Sequence, residues 1–407
     1  MADHPVAIPT HRKILYLAVM VVALLAVCEV GLRARQWVRY GSFAASVRDP
    51  MLEYDPQAEL LVPKPGYEVK GARLDIKINS LGFRGDDFER TKPPHTVRIA
   101  AIGASTTFCA EVSNNHRTWP HRLQEKLAAA YPDVRFEVIN TAVGGYTAAE
   151  NLRNLTHRVL PLDPDLAIYY EGNNEITKDT RQLALDRGLI PTGNNAQSLA
   201  RTISNYSLLF DLTYKNLTIL AGRHKAAVAA QTIDSVPTEL PKHFIGQLDE
   251  MRRALAARDI PLVLSTFIVK FRPNQPREVQ IANADVEFYY MPWMSIDGMF
   301  DAMDTYNQAI LDYATRNGVP VVDDREAVPP DSEHFSDAMH LLDKGAEAMA
   351  DRFFRYLRTS AELKRAIEKA RSSEDGITQK RSANMPGTVN MLVEDLPIDF
   401  TKRHDRC

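Results

Sequence analysis

The fold is decided by residues 97–107, VRIAAIGASTT. The run VRIAAI has the length and the branched apolar side chains of a buried β-strand, and the small residues after it suit a tight turn into a helix. In open α/β sheets the active site forms at the carboxyl ends of the strands. Ser105 therefore lies where a reactive side chain is expected, although a serine at this place is also typical of a simple helix cap.

Four more short β-rich runs follow, at residues 136–139, 166–170, 261–269 and 319–322. Helical patterns lie between them, for example over residues 119–131 and 299–316. Alternation of strands and helices is typical of parallel βαβ units whose helices cover both faces of one sheet. We therefore predict an α/β domain over residues 96–360, with a three-layer α/β/α architecture and about five parallel strands.

Composition narrows the class of protein. Of 407 residues, 45% are hydrophobic and 25% are charged, which is typical of a globular chain. The 49 Lys and Arg nearly balance the 52 Asp and Glu, giving a net charge of −3. We expect no nucleic-acid partner, because such proteins carry a basic surface. Three cysteines are too few for a disulfide scaffold, and the oligomeric state stays open.

The N-terminal region contains an apolar run of nineteen residues, Ile14–Leu32, interrupted only by Glu29. At 1.5 Å per residue this run just spans a hydrocarbon core of about 30 Å. We predict a transmembrane anchor over residues 13–32, after a tail at residues 1–12. A cleaved signal or lipid anchor and a soluble helix are the alternatives, and no small-residue cleavage pattern follows the run. Basic residues flank both ends, so orientation is not set by charge.

Four regions differ in character from the alternating strands and helices. Residues 33–95 contain brief strands and Pro- and Gly-rich turns, which predicts a stem packed on the domain. Residues 194–223 are helical in pattern, and we expect them to form an insertion over one edge of the sheet that could shape a substrate pocket. Residues 270–297 are rich in aromatic side chains, as expected of a packed loop or a lid. Residues 361–407 are charged with few core-forming positions, and we predict a mobile tail.

The loops after the second and third predicted strands also contain residues suited to chemistry. Residues 140–147 are NTAVGGYT, whose glycines allow a backbone N–H to approach a ligand closely. Residues 171–175 are EGNNE, and a side-chain amide there is able to donate a hydrogen bond to an oxyanion.

Residues 331–340, DSEHFSDAMH, contain the D-x-x-H spacing twice. An Asp three residues before a His can accept from its Nδ1–H and leave Nε2 free to take a proton from a serine. Spacing does not choose between Asp331 with His334 and Asp337 with His340. The same four residues also offer metal ligands, but no recognised metal spacing is present.

Together, these motifs resemble in order the four blocks of the SGNH hydrolase superfamily, also called GDSL-type esterases. The matching segments are IGASTT, NTAVGGYT, YEGNNE and FSDAMHLLDKGAEAMA, within about residues 96–357. The stem segment INSLGFRG at residues 78–85 is also similar to the segment before the first block in membrane-anchored members. The resemblance implies a flavodoxin-like SGNH fold.

The resemblance also implies a role for each site residue. Ser105 is then the nucleophile, His340 the base and Asp337 the carboxylate that orients it. The oxyanion donors are the Ser105 N–H, Gly145 and Asn174. Block position thus favours Asp337 with His340 over the earlier pair.

Two residues depart from the family pattern. Ala104 replaces the Asp of the GDS form, as is common in this branch of the superfamily. Glu175 replaces the Asp of the GxND form, which puts the support of the Asn174 loop in question.

The activity implied is acyl transfer through a covalent intermediate, with no metal or organic cofactor. The expected substrate is an acyl ester of a cell-surface glycan, a lipid or a small molecule, which is hydrolysed by a membrane-anchored domain outside the cytoplasm, in the periplasm or at the cell surface. One alternative is a polysaccharide O-acetyltransferase with the same triad. Another is a non-catalytic membrane-bound module that binds glycan or lipid.

Overall fold

The computed structural model describes residues 9–41, 43, 48–191, 195–227 and 232–383. The strands are β1 Leu52–Asp55, β2 Leu60–Pro63, β3 Glu68–Lys70, β4 Asp75–Lys77, β5 Thr96–Gly103, β6 Arg135–Asn140, β7 Leu166–Tyr170, β8 Leu262–Ser265 and β9 Val321–Val322. The helices are α1 Thr10–Tyr40, α2 Arg48–Met51, α3 Ser105–Phe108, α4 Trp119–Ala130, α5 Ala148–Asn154, α6 Asn173–Asp186, α7 Asn195–Tyr206, α8 Leu208–Ala227, α9 Lys242–Ala256, α10 Arg277–Asn283, α11 Asp285–Tyr290, α12 Ile296–Asn317, α13 Asp343–Leu357 and α14 Ala361–Ala383.

A five-stranded parallel sheet in the order β6-β5-β7-β8-β9 forms the core of the domain. All eight residues of β5 are buried, as expected of a strand with neighbours on both sides and helices on both faces. Connections between parallel strands are right-handed. The chain moves in one direction across the sheet from β5 to β6, which places α4 on one face. It moves in the opposite direction from β6 to β7, β8 and β9, which places α5, α9 and α12 on the other face. The α/β fold with about five parallel strands is thus confirmed.

The reversal of strand order opens a crevice at one edge of the sheet. From β5 the chain steps to β6 on one side, and it then returns across β5 to β7 on the other. At such a switch point the loops after the two central strands separate and leave a crevice at their carboxyl ends. The loop after β5 carries Ser105, and the loop after β7 carries Asn174.

The first part of the stem predicted at 33–95 continues α1 as far as Tyr40. Further along it are two antiparallel pairs, β1 with β2 and β3 with β4. Ile76 and Ile78 are buried in one cluster with Phe108, so the stem packs on α3, the helix that begins at Ser105. The buried Arg84 donates to the carbonyl oxygens of Phe108 at 3.0 Å and Cys109 at 2.7 Å. The stem therefore supports the C-terminal end of α3.

Helix α1 has no buried residue, and its most apolar 18 residues have a mean hydropathy of 2.5. It is long and apolar enough to cross a membrane, a property that it shares with signal sequences. The segment predicted as an anchor, 13–32, lies inside it, but the helix continues to Tyr40. The predicted helical insertion is present as α7 and α8.

The structure differs from three sequence expectations. The strand expected at 261–269 ends at Ser265, where its two-residue partner β9 ends. The aromatic segment at 270–297 is not a loop but contains α10 and α11. The tail expected from residue 361 begins as α14, and Leu363 and Ile367 are buried in the core. Its apolar residues are few but recur every three to four positions, which is enough for a narrow packed stripe. Residues 384–407 of that tail, and 1–8 of the N-terminal one, lie outside the described residues.

Candidate active site

The turn after β5 holds Ser105 at the carboxyl edge of the sheet. Gly103 is required there, because a Cβ would collide with the Tyr170 carbonyl oxygen and with the Thr107 side chain. The Thr107 hydroxyl donates to the Tyr170 carbonyl at 2.9 Å and so joins α3 to the end of β7. Ser105 is the first residue of α3, so no carbonyl within that helix can accept from its N–H.

Ser105, His340 and Asp337 form one hydrogen-bonded chain. The Ser105 Oγ lies 2.8 Å from Nε2 of His340, and Nδ1 of the same imidazole lies 2.8 Å from Oδ2 of Asp337. Oδ1 of Asp337 accepts from the backbone N–H groups of Met339 at 3.0 Å and His340 at 2.9 Å. The carboxylate is therefore fixed by its own loop, and the arrangement can move a proton from the serine to the imidazole.

The electrostatics of this pair favour the charged forms. Burial alone would lower the pKa of His340, but the Asp337 charge and hydrogen bond outweigh burial and raise it. Burial would likewise raise the pKa of Asp337, yet the imidazole and the two N–H donors leave it lowered. An imidazolium formed during a reaction is therefore stabilised where it arises.

Two further loops bring hydrogen-bond donors to the same place. Gly145 has a φ of 83°, in the left-handed region that favours glycine. The Asn174 side-chain amide donates one hydrogen to the Tyr146 carbonyl at 2.8 Å, which leaves its second hydrogen available to a ligand. The Asn174 backbone N–H donates to Oε1 of Glu171 at 2.8 Å.

Glu175 links these two loops. Its carboxylate is buried and accepts from the backbone N–H of Ala148, the first residue of α5. Together with the contact between Asn174 and Tyr146, this gives the loops after β6 and β7 two mutual hydrogen bonds. The longer acid at the position of the family Asp thus holds the Asn174 loop against the Gly145 loop.

A cavity of about 590 Å³ opens over these residues and includes Ser105, Gly145, Asn174 and His340 in its wall. Its remaining wall comes from distant parts of the chain, among them Gln36 and Tyr40 of α1, Leu74 and Ile76 of the stem, Leu208 and Leu212 of α8, and Tyr290 of α11. The cavity is therefore a composite of the domain, the stem, the insertion and the end of α1.

A family model described as the GDSL-like lipase/acylhydrolase family matches residues 101–348, more than half of the chain. The chain belongs to this family. The resemblance seen in the sequence is thus confirmed, and with it the expectation of an enzyme that hydrolyses ester bonds.

Solved structures of similar fold include other hydrolases. An alpha/beta hydrolase from the metagenome of Lake Arreo is 17% identical, with a TM-score of 0.40 over 64% of this chain and 94% of that one. A putative lipolytic G-D-S-L protein from Desulfitobacterium hafniense is 14% identical, at 0.37 over 64% and 99%. An acetylxylan esterase from Geobacillus stearothermophilus is 13% identical, at 0.38 over 64% and 93%. No curated protein matches the chain.

The earlier Asp-His pair of this acylhydrolase, Asp331 with His334, has no contact with the Ser105 hydroxyl among the described hydrogen bonds. Nδ1 of His334 lies 2.7 Å from Oδ1 of Asp331, in an exposed loop, whereas the hydrogen bond to Ser105 Oγ comes from His340. Within the described ranges, no three His, Cys, Asp or Glu side chains are grouped so as to hold a metal ion.

Sequence reasoning missed three residues around the site. Glu287 of α11 is completely buried near Asp337 and His340, and burial raises its pKa to about 8. Burial thus favours its uncharged form, whereas its charged form adds to the effects that raise the pKa of His340. Glu111 lines the cavity and its charge helps to raise the pKa of His340. Arg84 was visible in the stem motif, but no sequence signal marked the two acids.

Proposed function

We propose that this acylhydrolase is a serine esterase that cleaves an O-acyl ester of a cell-surface glycan or lipid through an acyl-enzyme on Ser105. The observation that carries the proposal is the continuous chain from Ser105 through His340 to Asp337, with two contacts of 2.8 Å, at the wall of a large cavity. A serine is a weak nucleophile until an adjacent base accepts its proton, and this geometry supplies that base.

The reaction proceeds in two halves. His340 Nε2 takes the proton of the Ser105 hydroxyl as Oγ attacks the ester carbonyl carbon, and Asp337 stabilises the imidazolium. The tetrahedral intermediate collapses as the imidazolium returns the proton to the leaving alcohol oxygen, which leaves the acyl group on Ser105. Water, deprotonated by His340, then attacks this ester, and the imidazolium returns that proton to Ser105 Oγ as the bond to the acyl carbon breaks and the acid leaves.

Three donors stabilise the negative oxygen of the intermediate: the N–H groups of Ser105 and Gly145 and the free amide hydrogen of Asn174. They are fixed before substrate arrives, because the Asn174 amide is already bound to the Tyr146 carbonyl and Gly145 lies in the adjoining turn. Donors placed in advance need no reorganisation when the charge develops, which is the main source of their effect.

Replacing Asn174 by alanine is expected to lower kcat by about 10²- to 10³-fold with little change in KM, because the lost donor acts on the transition state. Hydrolysis of p-nitrophenyl acetate measures both constants. Gln182→Ala, an exposed change on the same helix α6, serves as the control and should leave both unchanged. A rise in KM alone would mean that Asn174 only positions the substrate.

The pH dependence of kcat/KM should follow the fraction of His340 that is unprotonated. Because its pKa is raised, kcat/KM should fall on acidification at a pH above the usual histidine value of 6.5. Asp337→Asn removes the charge that favours the imidazolium, so the residual activity should fall at a lower pH than in the wild type. Rates of both proteins across pH 5 to 9, corrected for spontaneous hydrolysis, make the comparison. If activity falls on acidification at the same pH in Asp337→Asn as in the wild type, the pairing of Asp337 with His340 is contradicted.

We also propose that α1 anchors the enzyme in a membrane with the domain outside the cytoplasm. Support for anchoring comes from the length and the apolar character of α1 and from the absence of buried residues in it. Because Gln36 and Tyr40 of this helix line the catalytic cavity, the ester is cleaved close to the membrane that the helix crosses.

A further inference from the structure

Exposed aromatic side chains surround Arg33 near the C-terminal end of α1. Trp37 and Phe43 stack with ring centroids 5.7 Å apart, and each is more than half exposed. The Arg33 guanidinium donates to the carbonyl oxygens of Phe43 and Tyr206, both at 2.8 Å. Tyr206, the last residue of α7, is 79% exposed. We call Trp37, Phe43 and Tyr206 the aromatic girdle.

The insertion is attached to α1 at the same level. The carboxylate of Glu29 accepts from the backbone N–H groups of Leu208 at 3.0 Å and Leu209 at 2.8 Å, and from the Ser207 hydroxyl at 3.0 Å. It thereby caps the N-terminal end of α8, where free N–H groups and the helix dipole favour an anion. Arg33 binds the same carboxylate at 2.6 Å. The junction of α7 and α8 is therefore held at a fixed height on α1.

Helix α7 presents an apolar face to the outside. Leu199, Ile203 and Tyr206 follow one another at intervals of four and three residues, so they share one side of the helix, and all are exposed. Ala200, by contrast, is buried. An exposed apolar stripe on a helix fixed beside a membrane segment is typical of a helix that lies in the interface.

The position of Arg33 and the aromatic girdle along α1 agrees with the surface of a bilayer. The apolar run Ile14–Leu32 is about 28 Å long at 1.5 Å per residue, close to the roughly 30 Å of a hydrocarbon core. Arg33 and the girdle come directly after its end, and Trp, Tyr and Arg are the residues that favour the headgroup region. The girdle therefore lies where the headgroups of a bilayer crossed by α1 would be.

We propose that the exposed face of α7, formed by Leu199, Ile203 and Tyr206, lies in the headgroup region of the bilayer that α1 crosses and forms a second membrane contact of the enzyme. This inference rests on the proposed anchoring through α1. Helix α8, which follows directly, lines the catalytic cavity through Leu208 and Leu212. The contact therefore sets the orientation of the cavity relative to the lipid surface.

Fluorescence quenching in vesicles tests this inference on the full chain. Three chains are labelled with an environment-sensitive dye: one at the native Cys28, one at Ile203→Cys and one at Glu250→Cys. Cys407 is changed to Ser in all three, and Cys28 is changed to Ser in the last two. The chains are placed in phosphatidylcholine and phosphatidylglycerol vesicles with nitroxide-labelled lipids. Because interfacial helices bury their apolar face by roughly 5–10 Å, quenching at 203 should come within about twofold of that at Cys28. Position 250, exposed on α9, should stay unquenched.

Each outcome bears on a different statement. Quenching at Cys28 with none at position 203 would overturn the second contact and leave the anchor intact. No quenching at Cys28 would remove the anchor and the second contact with it. Cross-linking between two chains through position 203 without lipid quenching would assign the face to a second copy. Turnover of p-nitrophenyl acetate by each labelled chain reports on the esterase proposal separately and shows that the variant is folded.

Glu29 supplies a second variant. Glu29→Ala removes the cap on α8, so quenching at position 203 should fall towards that at position 250 while Cys28 stays quenched. Glu29→Gln keeps a side-chain oxygen as an acceptor and should retain most of the quenching. Unchanged quenching at 203 in Glu29→Ala would show that the cap does not hold the insertion at the membrane.

Discussion

Changing Ser105 to alanine should reduce kcat for ester hydrolysis by on the order of 10⁶-fold, the effect of removing the nucleophile from a coupled triad. The Oγ atom is the only group of this side chain that can form the acyl-enzyme. The same change should abolish covalent labelling by a fluorophosphonate probe. Turnover of p-nitrophenyl acetate and the labelled fraction are both measured on the full chain.

The control for this change is Ser332→Ala, which removes a hydroxyl from the exposed loop before Asp337. It should leave labelling and turnover unchanged. Thermal unfolding of both variants should match that of the parent, because neither hydroxyl is needed by the core. Equal labelling of Ser105→Ala and its parent would exclude Ser105 as the nucleophile.

Changing His340 to alanine should be nearly as damaging as the loss of Ser105, because the serine then has no base. Asp337→Ala should cost less, on the order of 10⁴-fold in kcat, since the imidazole survives without its orienting carboxylate. His334→Ala should leave kcat unchanged, because His334 is bound to Asp331 in an exposed loop.

These three variants, assayed on one ester, decide between the two D-x-x-H pairs. His334→Ala is the matched control, because it breaks an Asp-His contact of the same local geometry. The two atoms are 2.7 Å apart in the pair of His334 and 2.8 Å apart in the pair of His340. An inactive His334→Ala beside a near-normal His340→Ala would reverse the assignment.

The near identity of the two pairs explains why spacing could not choose between them. Both Asp side chains also accept from backbone N–H groups of their own loop, so the local motif is the same twice. The difference is the position of Ser105, more than two hundred residues away in the chain. Such a contact depends on the fold, and here only the order of the family blocks indicated it.

The strands and the loops that carry chemistry were predictable because their signals are local. Five apolar runs of strand length identified the sheet, and glycines and asparagines at their ends identified the loops. The strand order β6-β5-β7-β8-β9 was not predictable in this way, nor was the shared cavity wall, because both depend on contacts between distant segments. Glu287 had no sequence signal at all, since an acid within an aromatic segment is indistinguishable from a surface residue until its burial is known.

The part that α1 plays in the cavity affects how this enzyme is studied in solution. A soluble fragment that begins after Tyr40 would keep Ser105, His340 and Asp337 but lose Gln36 and Tyr40 from the substrate wall. Substrate preferences and inhibitor rankings measured on it would describe an altered pocket. A fragment that begins near Arg33 omits the apolar run and retains both side chains, since Arg33 and Tyr40 are about 10 Å apart along the helix. The N-terminal helix thus contributes two side chains to the wall of the cavity beside Ser105.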